Sequence, residues 1–141
     1  MSETEQYSAG LIADAMIERE VEIQDRMWGD ANERADAKGN QLLYAGLAQV
    51  ILVLSKLEGD TPEQALVEGA EFYPKDWNGF RDYGSNAANL VVAAAFIRSE
   101  IKRRVLLGED LTRAKRGEAY KGPDLPHMSS EEAAGDIGAT L

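Results

Sequence analysis

The stretch NQLLYAGLAQVILVLSK, residues 40–56, decides the fold. Its inner run, Leu42 to Leu54, is thirteen residues long and carries no charge. As a helix, thirteen residues rise about 20 Å, against the roughly 30 Å of a bilayer's hydrocarbon core. The run is therefore too short for a membrane span and reads as a helix inside a protein. It is apolar nearly all round, and such a helix belongs in the middle of a bundle or in an oligomer interface.

Working outward, EGD (residues 58–60) ends that helix and TPEQALVEGAEFY (residues 61–73) begins another. Thr61 stands as N-cap, Pro62 takes the first helical position and Gln64 lies three residues after the cap, the pattern of a capping box. A short helix from Pro62 to about Glu71 follows. YPKDWNGFRDYGSN, Tyr73 to Asn86, is an aromatic loop with turn signals. The fourth helix, about Asn86 to Leu107, aligns Leu90, Val91, Ala94, Ile97, Ile101 and Val105 on one face, with Val92 and Phe96 pointing elsewhere. Upstream, a first helix from about Ser8 to Trp28 has an apolar arc with Ile12, Met16, Ile23 and Met27 along one edge and Ala13, Ile17, Val21 and Trp28 along the other. GDANERADAKGN (residues 29–40) reads as the loop after it.

Neither an internal repeat nor a strand alternation of useful length occurs. The expectation is an all-α fold, a small helical bundle of about four helices that forms a dimer or higher homo-oligomer. The bundle domain covers residues 1–108 and a polar C-terminal tail residues 109–141. Eight of the fifteen basic residues fall between Arg98 and Lys121.

Composition narrows the partners. Hydrophobic residues make up 44 % of the 141, which excludes wholesale disorder. A net charge of -10 repels nucleic acid and anionic membrane surfaces, and suits a basic protein partner or a divalent cation. With no cysteine, disulfides, thiolate metal sites and cysteine nucleophiles are excluded. MSETEQYSAG is acidic and polar, unlike a secretory signal, so a cytoplasmic protein is expected.

The first helix carries EREVEIQDRMWGD, Glu18 to Asp30, with five carboxylates and two arginines. Glu18, Glu22 and Asp25, spaced i, i+4, i+7, share a face, either a metal-holding one or a solvated stripe flanked by Arg19 and Arg26. Glu20 and Gln24 fall inside the apolar arc. Arg98 falls likewise between Leu90, Ala94 and Val91 on the fourth helix. A buried carboxylate costs several kcal/mol unless it pairs or binds something. Glu20 and Arg98 therefore either pair within the bundle or line a ligand pocket, Arg98 for phosphate and Glu20 for metal or base. Trp77, Phe80 and Tyr83 either stack on a base or cap a core. His127 has no serine or aspartate constellation for a triad. No glycine pattern suits a phosphate loop. Arg113, Lys115 and Arg116 are flanked by acids and read as solvated tail.

These residues carry a resemblance. IEREVEIQDRMWG, with Glu18, Arg19, Ile23, Trp28 and Gly29, resembles the opening helix of small phage and bacterial relatives of the MazG-like all-α nucleoside triphosphate pyrophosphohydrolases. NLVVAAAFIRSEIKR (Asn89 to Arg103) is similar to that family's apolar helix with its Glu-Ile-basic ending, and YPKDWNGFRDYG fits the loop before it. The resemblance spans roughly Ile17 to Arg103. It implies a bundle that dimerises or tetramerises, in which glutamates of a Glu-Glu-x-x-Glu and a Glu-x-x-Asp helix hold magnesium. The metal clamps a nucleoside triphosphate while water attacks and pyrophosphate leaves.

Where that pattern places glutamates, this chain has amides: Asn40, Gln41 and Gln49 on one helix, Asn86 and Asn89 on the other. An amide cannot supply the charge that binds magnesium, but it can still read a base or ribose. The expected function is thus binding of a nucleotide or nucleotide signal without efficient hydrolysis, through Glu20, Gln24, Gln49, Asn89, Arg98 and Trp77, with Glu20 and Glu22 as the metal ligands if magnesium is used. An active magnesium-dependent pyrophosphohydrolase using a displaced set such as Glu20, Glu22 and Glu100 is one alternative. An acidic phage-type protein that blocks a basic host surface is the other.

Overall fold

The computed structural model describes residues 1–28 and 40–110, together with the backbone of 113–114 and 120–121. Among the described residues the chain is an all-α helical bundle of four helices: α1 (Glu3–Trp28), α2 (Gln41–Leu57), α3 (Pro62–Ala70) and α4 (Asn86–Leu106). Residues 29–39 of the loop expected after Trp28, the side chain of Arg113, and Lys115, Arg116 and His127 lie outside what is described. Beyond α4 a two-residue antiparallel ladder pairs β1 (Arg113–Ala114) with β2 (Tyr120–Lys121), too short for any period-two pattern to mark it in the sequence. The chain divides into two units, Met1–Arg103 and Arg104–Leu141. Within the second, Gly108 at φ +83° follows the last turn of α4, and Arg104 pairs with Glu109 at 3.0 Å.

Helix α1 starts five residues earlier than the expected Ser8. Ser2 Oγ accepts from the Glu5 N–H at 3.1 Å, and the Ser2 N–H reaches Glu5 Oε2 at 3.4 Å. That is a reciprocal capping box, and Glu3 and Glu5 in the first turn favour the helix dipole. At α3 the expected cap forms by half. The Gln64 N–H donates to Thr61 Oγ1 at 3.1 Å, while the Gln64 side chain turns forward to Glu68. Between them, α2 ends on Gly59 at φ +101°, a backbone state that costs a glycine little.

The core gathers Leu42, Ala45 and Ala48 of α2, Tyr73 of the loop, and Val92 and Phe96 of α4. Close approach is written into small residues. A Cβ on Gly46 would stand 3.2 Å from Ile97 Cγ1 and 3.3 Å from the Ala93 carbonyl, so α2 and α4 meet there nearly backbone to backbone. A Cβ on Gly69 would meet Phe80 Cζ at 2.5 Å and the Ala48 carbonyl at 2.7 Å, which locks α3 onto α2 and the loop.

On α4 it is the second apolar group, Val92 and Phe96, that lies on the buried face. Leu90, Ile97 and Ile101, of the broader apolar stripe, are exposed, whereas Asn89, Val92, Ala93, Ala95, Phe96, Ser99 and Glu100 are buried. A helical wheel measures how apolar a face is. It does not measure how closely a neighbouring helix can approach, and here the face that sets Phe96 among the small Ala93, Ala95 and Ser99 is the one that packs. The same holds on α1, where Ile12, Met16 and Met27 are exposed while Ile17 and Val21 are partly covered.

Candidate functional site

Among the described residues three amide side chains are buried: Gln24 of α1 at 0 % exposure, Gln49 of α2 at 1 % and Asn89 of α4 at 0 %. Sequence reading singled out all three, and the structure gives them different work.

Asn89 is fully engaged. Its Oδ1 accepts the Tyr83 N–H at 2.8 Å and its Nδ2 donates to Asp82 Oδ1 at 3.0 Å. Asp82 also accepts the Gly84 N–H at 2.9 Å and forms an ion pair with Lys56 at the end of α2. The Lys56 hydrogen bond first, and then that of Asn89, hold the Asp82 carboxyl down at about 2. Asn89 thus belongs to a network that ties the aromatic loop to α2 and α4.

Gln24 and Gln49 are only half engaged. Gln49 Nε2 donates to the Arg81 carbonyl at 3.3 Å, and Gln24 Nε2 reaches Glu20 Oε1 at 3.5 Å. Both Oε1 atoms are buried and meet no donor. Glu20 is half-buried. Burial pushes its carboxyl above the ordinary 4.5, against the Gln24 hydrogen bond and the positive charge of Arg81. The Arg81 guanidinium stands 4.7 Å from the centre of the Tyr83 ring. Arg81 is thereby the common member: its carbonyl takes Gln49, its charge reaches Glu20, and Glu20 takes Gln24. Sequence reading missed Arg81, because within the loop it looked like one cation among aromatics.

The remaining expected residues lie elsewhere. Trp77 stands edge-on to Tyr73 at 6.2 Å and tilted to Phe96 at 6.3 Å, so it closes the core under the loop. Arg98 does not pair with Glu20. It pairs with Glu18 at 2.7 Å, with both side chains at least half exposed, and such a pair adds little stability. Nine residues along a helix amount to about half a turn of rotation, so Arg98 and Asn89 lie on opposite sides of α4. Glu22 joins Glu18 and Asp25 along a groove of about 310 Å³ whose other wall carries Arg98 and Lys102.

That arrangement bears on magnesium. Glu20 and Glu22 lie about 200° apart around α1. Glu100 is buried and clasped by Arg103 through two bonds of 2.8 and 3.0 Å. Among the described residues, no three Asp, Glu, His or Cys side chains gather where a metal ion could be held. Magnesium takes oxygen ligands in near-octahedral geometry, and Glu20 and Glu22, on different sides of α1, do not converge on one ion.

Compared with protein-family models, curated proteins and solved structures, the chain matches none.

Proposed function

We propose that this chain is a nucleotide-binding helical domain that holds a nucleotide or nucleotide signal without efficient hydrolysis. The observation that carries the reading is the pair of buried, undonated carbonyl oxygens of Gln24 and Gln49 beside Glu20 and Arg81. Leaving a buried acceptor unsatisfied costs about 1–3 kcal/mol. A ligand edge with N–H or O–H donors repays that cost, and nucleobase and ribose edges carry such donors. Arg81 supplies positive charge for a phosphate on a chain whose net charge of -10 otherwise repels one. The same amides would bring no hydrolysis, since they neither hold a metal nor activate water.

The test is isothermal titration against nucleoside triphosphates and cyclic dinucleotides, with and without magnesium, reading pyrophosphate in the same samples. Binding without turnover, weakened at least tenfold in Gln49→Leu, is the expected result. Turnover would favour the active pyrophosphohydrolase. The absence of any binding would sink the nucleotide reading.

One observation favours a second reading, an acidic protein that engages a basic partner surface. Every residue from Met1 to Met16 is exposed, including Glu3, Glu5 and Asp14. Capture of a basic protein that weakens as salt rises would support it.

A further inference from the structure

Between α1 and α4 lies a groove whose walls carry opposite charge. Glu18, Glu22 and Asp25 stand on the α1 side, Arg98 and Lys102 on the α4 side, around a hollow of about 310 Å³. Glu18 and Arg98 also border a second hollow of about 490 Å³, formed by the apolar Ile17, Ala94, Ile97 and Ile101 with Asp14 at its edge, so the two hollows are contiguous. Each falls within the roughly 300–1,000 Å³ of small-molecule sites. The walls join at the Glu18–Arg98 pair of 2.7 Å. Among the described residues, Glu22, Asp25 and Lys102 have no ion-pair partner across the groove. Ser99 lines the same hollow at 2 % exposure, and its hydroxyl makes no hydrogen bond to a described residue. A polar group so enclosed normally has a partner, and here the open side is the groove.

We propose that this groove binds a free α-amino acid with an aliphatic side chain. A cation alone would face Lys102, and an anion alone would face the three carboxylates of α1, whereas a zwitterion answers both walls. Glu22 and Asp25 are i, i+3 neighbours on α1, and Ser99 and Lys102 are i, i+3 neighbours on α4. The first pair accepts from the ligand's ammonium. The Lys102 ammonium and the Ser99 hydroxyl donate to its carboxylate. Because the walls come as close as 2.7 Å, the ligand's two charges must lie near each other. On one α-carbon they do; at the two ends of a peptide they do not. The side chain enters the second hollow, against Ile17, Ile97 and Ile101. The groove shares no residue with the set Glu20, Gln24, Gln49 and Arg81, so it stands or falls separately from the nucleotide reading.

Isothermal titration of the full chain tests this, with L-leucine at up to about 10 mM, enough to read affinities on the order of 1 mM. Leucinamide lacks the carboxylate, N-acetylleucine lacks the ammonium and glycine lacks the side chain. L-leucine is expected to bind, and each of the three to bind at least tenfold more weakly. Asp25→Asn and Lys102→Gln, with helical circular dichroism unchanged, should each weaken L-leucine about tenfold, on the order of one charge-assisted hydrogen bond. L-leucine that gives no heat overturns the proposal, as does L-leucine that binds both folded variants as tightly as wild type. Leucinamide binding as well as leucine would also overturn it, and would mark the groove as an acidic surface for a basic protein instead.

Discussion

The side-chain amide of Gln49 donates to the main-chain carbonyl of Arg81 at 3.3 Å, while its own Oε1, buried beside it, meets no donor. One end of the amide fixes the aromatic loop and the other end is idle. Gln24 repeats the pattern with Glu20. Two idle acceptors in one small bundle are a cost that packing alone does not explain, since methionine would fill either position without one.

Replacing Gln24 by Met should therefore stabilise the protein. The hydrogen bond lost, at 3.5 Å, is at the limit of a real one, and the orphaned oxygen goes with it. A gain of about 1 kcal/mol is expected, or roughly 3–5 °C in Tm. Gln49→Met gives up a better bond and should come out near neutral. Differential scanning calorimetry decides, and a loss of more than 1 kcal/mol for Gln24→Met, on the scale of one net hydrogen bond, would mean that its amide is structurally needed.

Gly69→Ala should cost much more than a helical Gly→Ala normally returns. An exposed helix gains about 1 kcal/mol from that change. Here the new methyl would stand 2.7 Å from the Ala48 carbonyl, which cannot move without shifting α2, and 2.5 Å from the Phe80 ring. A net loss of about 2–3 kcal/mol is expected, read from urea unfolding midpoints. An unchanged midpoint would show that α3 can slide.

Acid unfolding should report Asp82. Its carboxyl is held at about 2 against an ordinary 3.8, chiefly by Lys56 and then by Asn89. A lowered folded-state pKa contributes stability that is present above 3.8 and lost as pH falls toward 2. With solvent screening that contribution is on the order of 1 kcal/mol. Glu20 has the opposite sign. Burial raises its carboxyl, so its contribution is present below 4.5 and lost as pH rises. Asp82→Asn should thus differ from wild type at pH 7 and converge with it near pH 2, whereas Glu20→Gln should gain relative to wild type as pH climbs above 4.5. Parallel stability–pH curves for wild type and variants would contradict both assignments.

Much of this was legible in the residues. The uncharged run of α2, the Thr61 cap with Pro62 and the placement of Gln24 and Glu20 on the inner side of α1 all follow from local pattern, and the structure agrees. The inner face of α4 did not follow. Its exposed stripe is more apolar than its buried one, because the sequence records every face that avoids water without saying whether a helix of the same chain covers it. Arg98 was misplaced for that reason and Arg81 overlooked for another. The importance of Arg81 rests on a main-chain carbonyl and on a loop path that brings it back to α1 and α2, and neither leaves a mark in residue spacing.

Arg81 can be divided experimentally into its two roles. The bond from Gln49 goes to its main chain, so Arg81→Ala should keep the loop seated. What it removes is the cation over Tyr83 at 4.7 Å and the charge that favours ionised Glu20. The loss of stability should stay near 1 kcal/mol, the worth of an exposed cation–π contact. The Glu20 carboxyl should titrate still higher, because burial would act on it with less opposition, and carboxyl-detected NMR would show this. Nucleotide affinity should fall about ten- to a hundredfold, the equivalent of one charge-assisted hydrogen bond. If the folded variant binds nucleotide as tightly as wild type, the phosphate is held elsewhere, and the groove beside Arg98 and Lys102 becomes the place to substitute next.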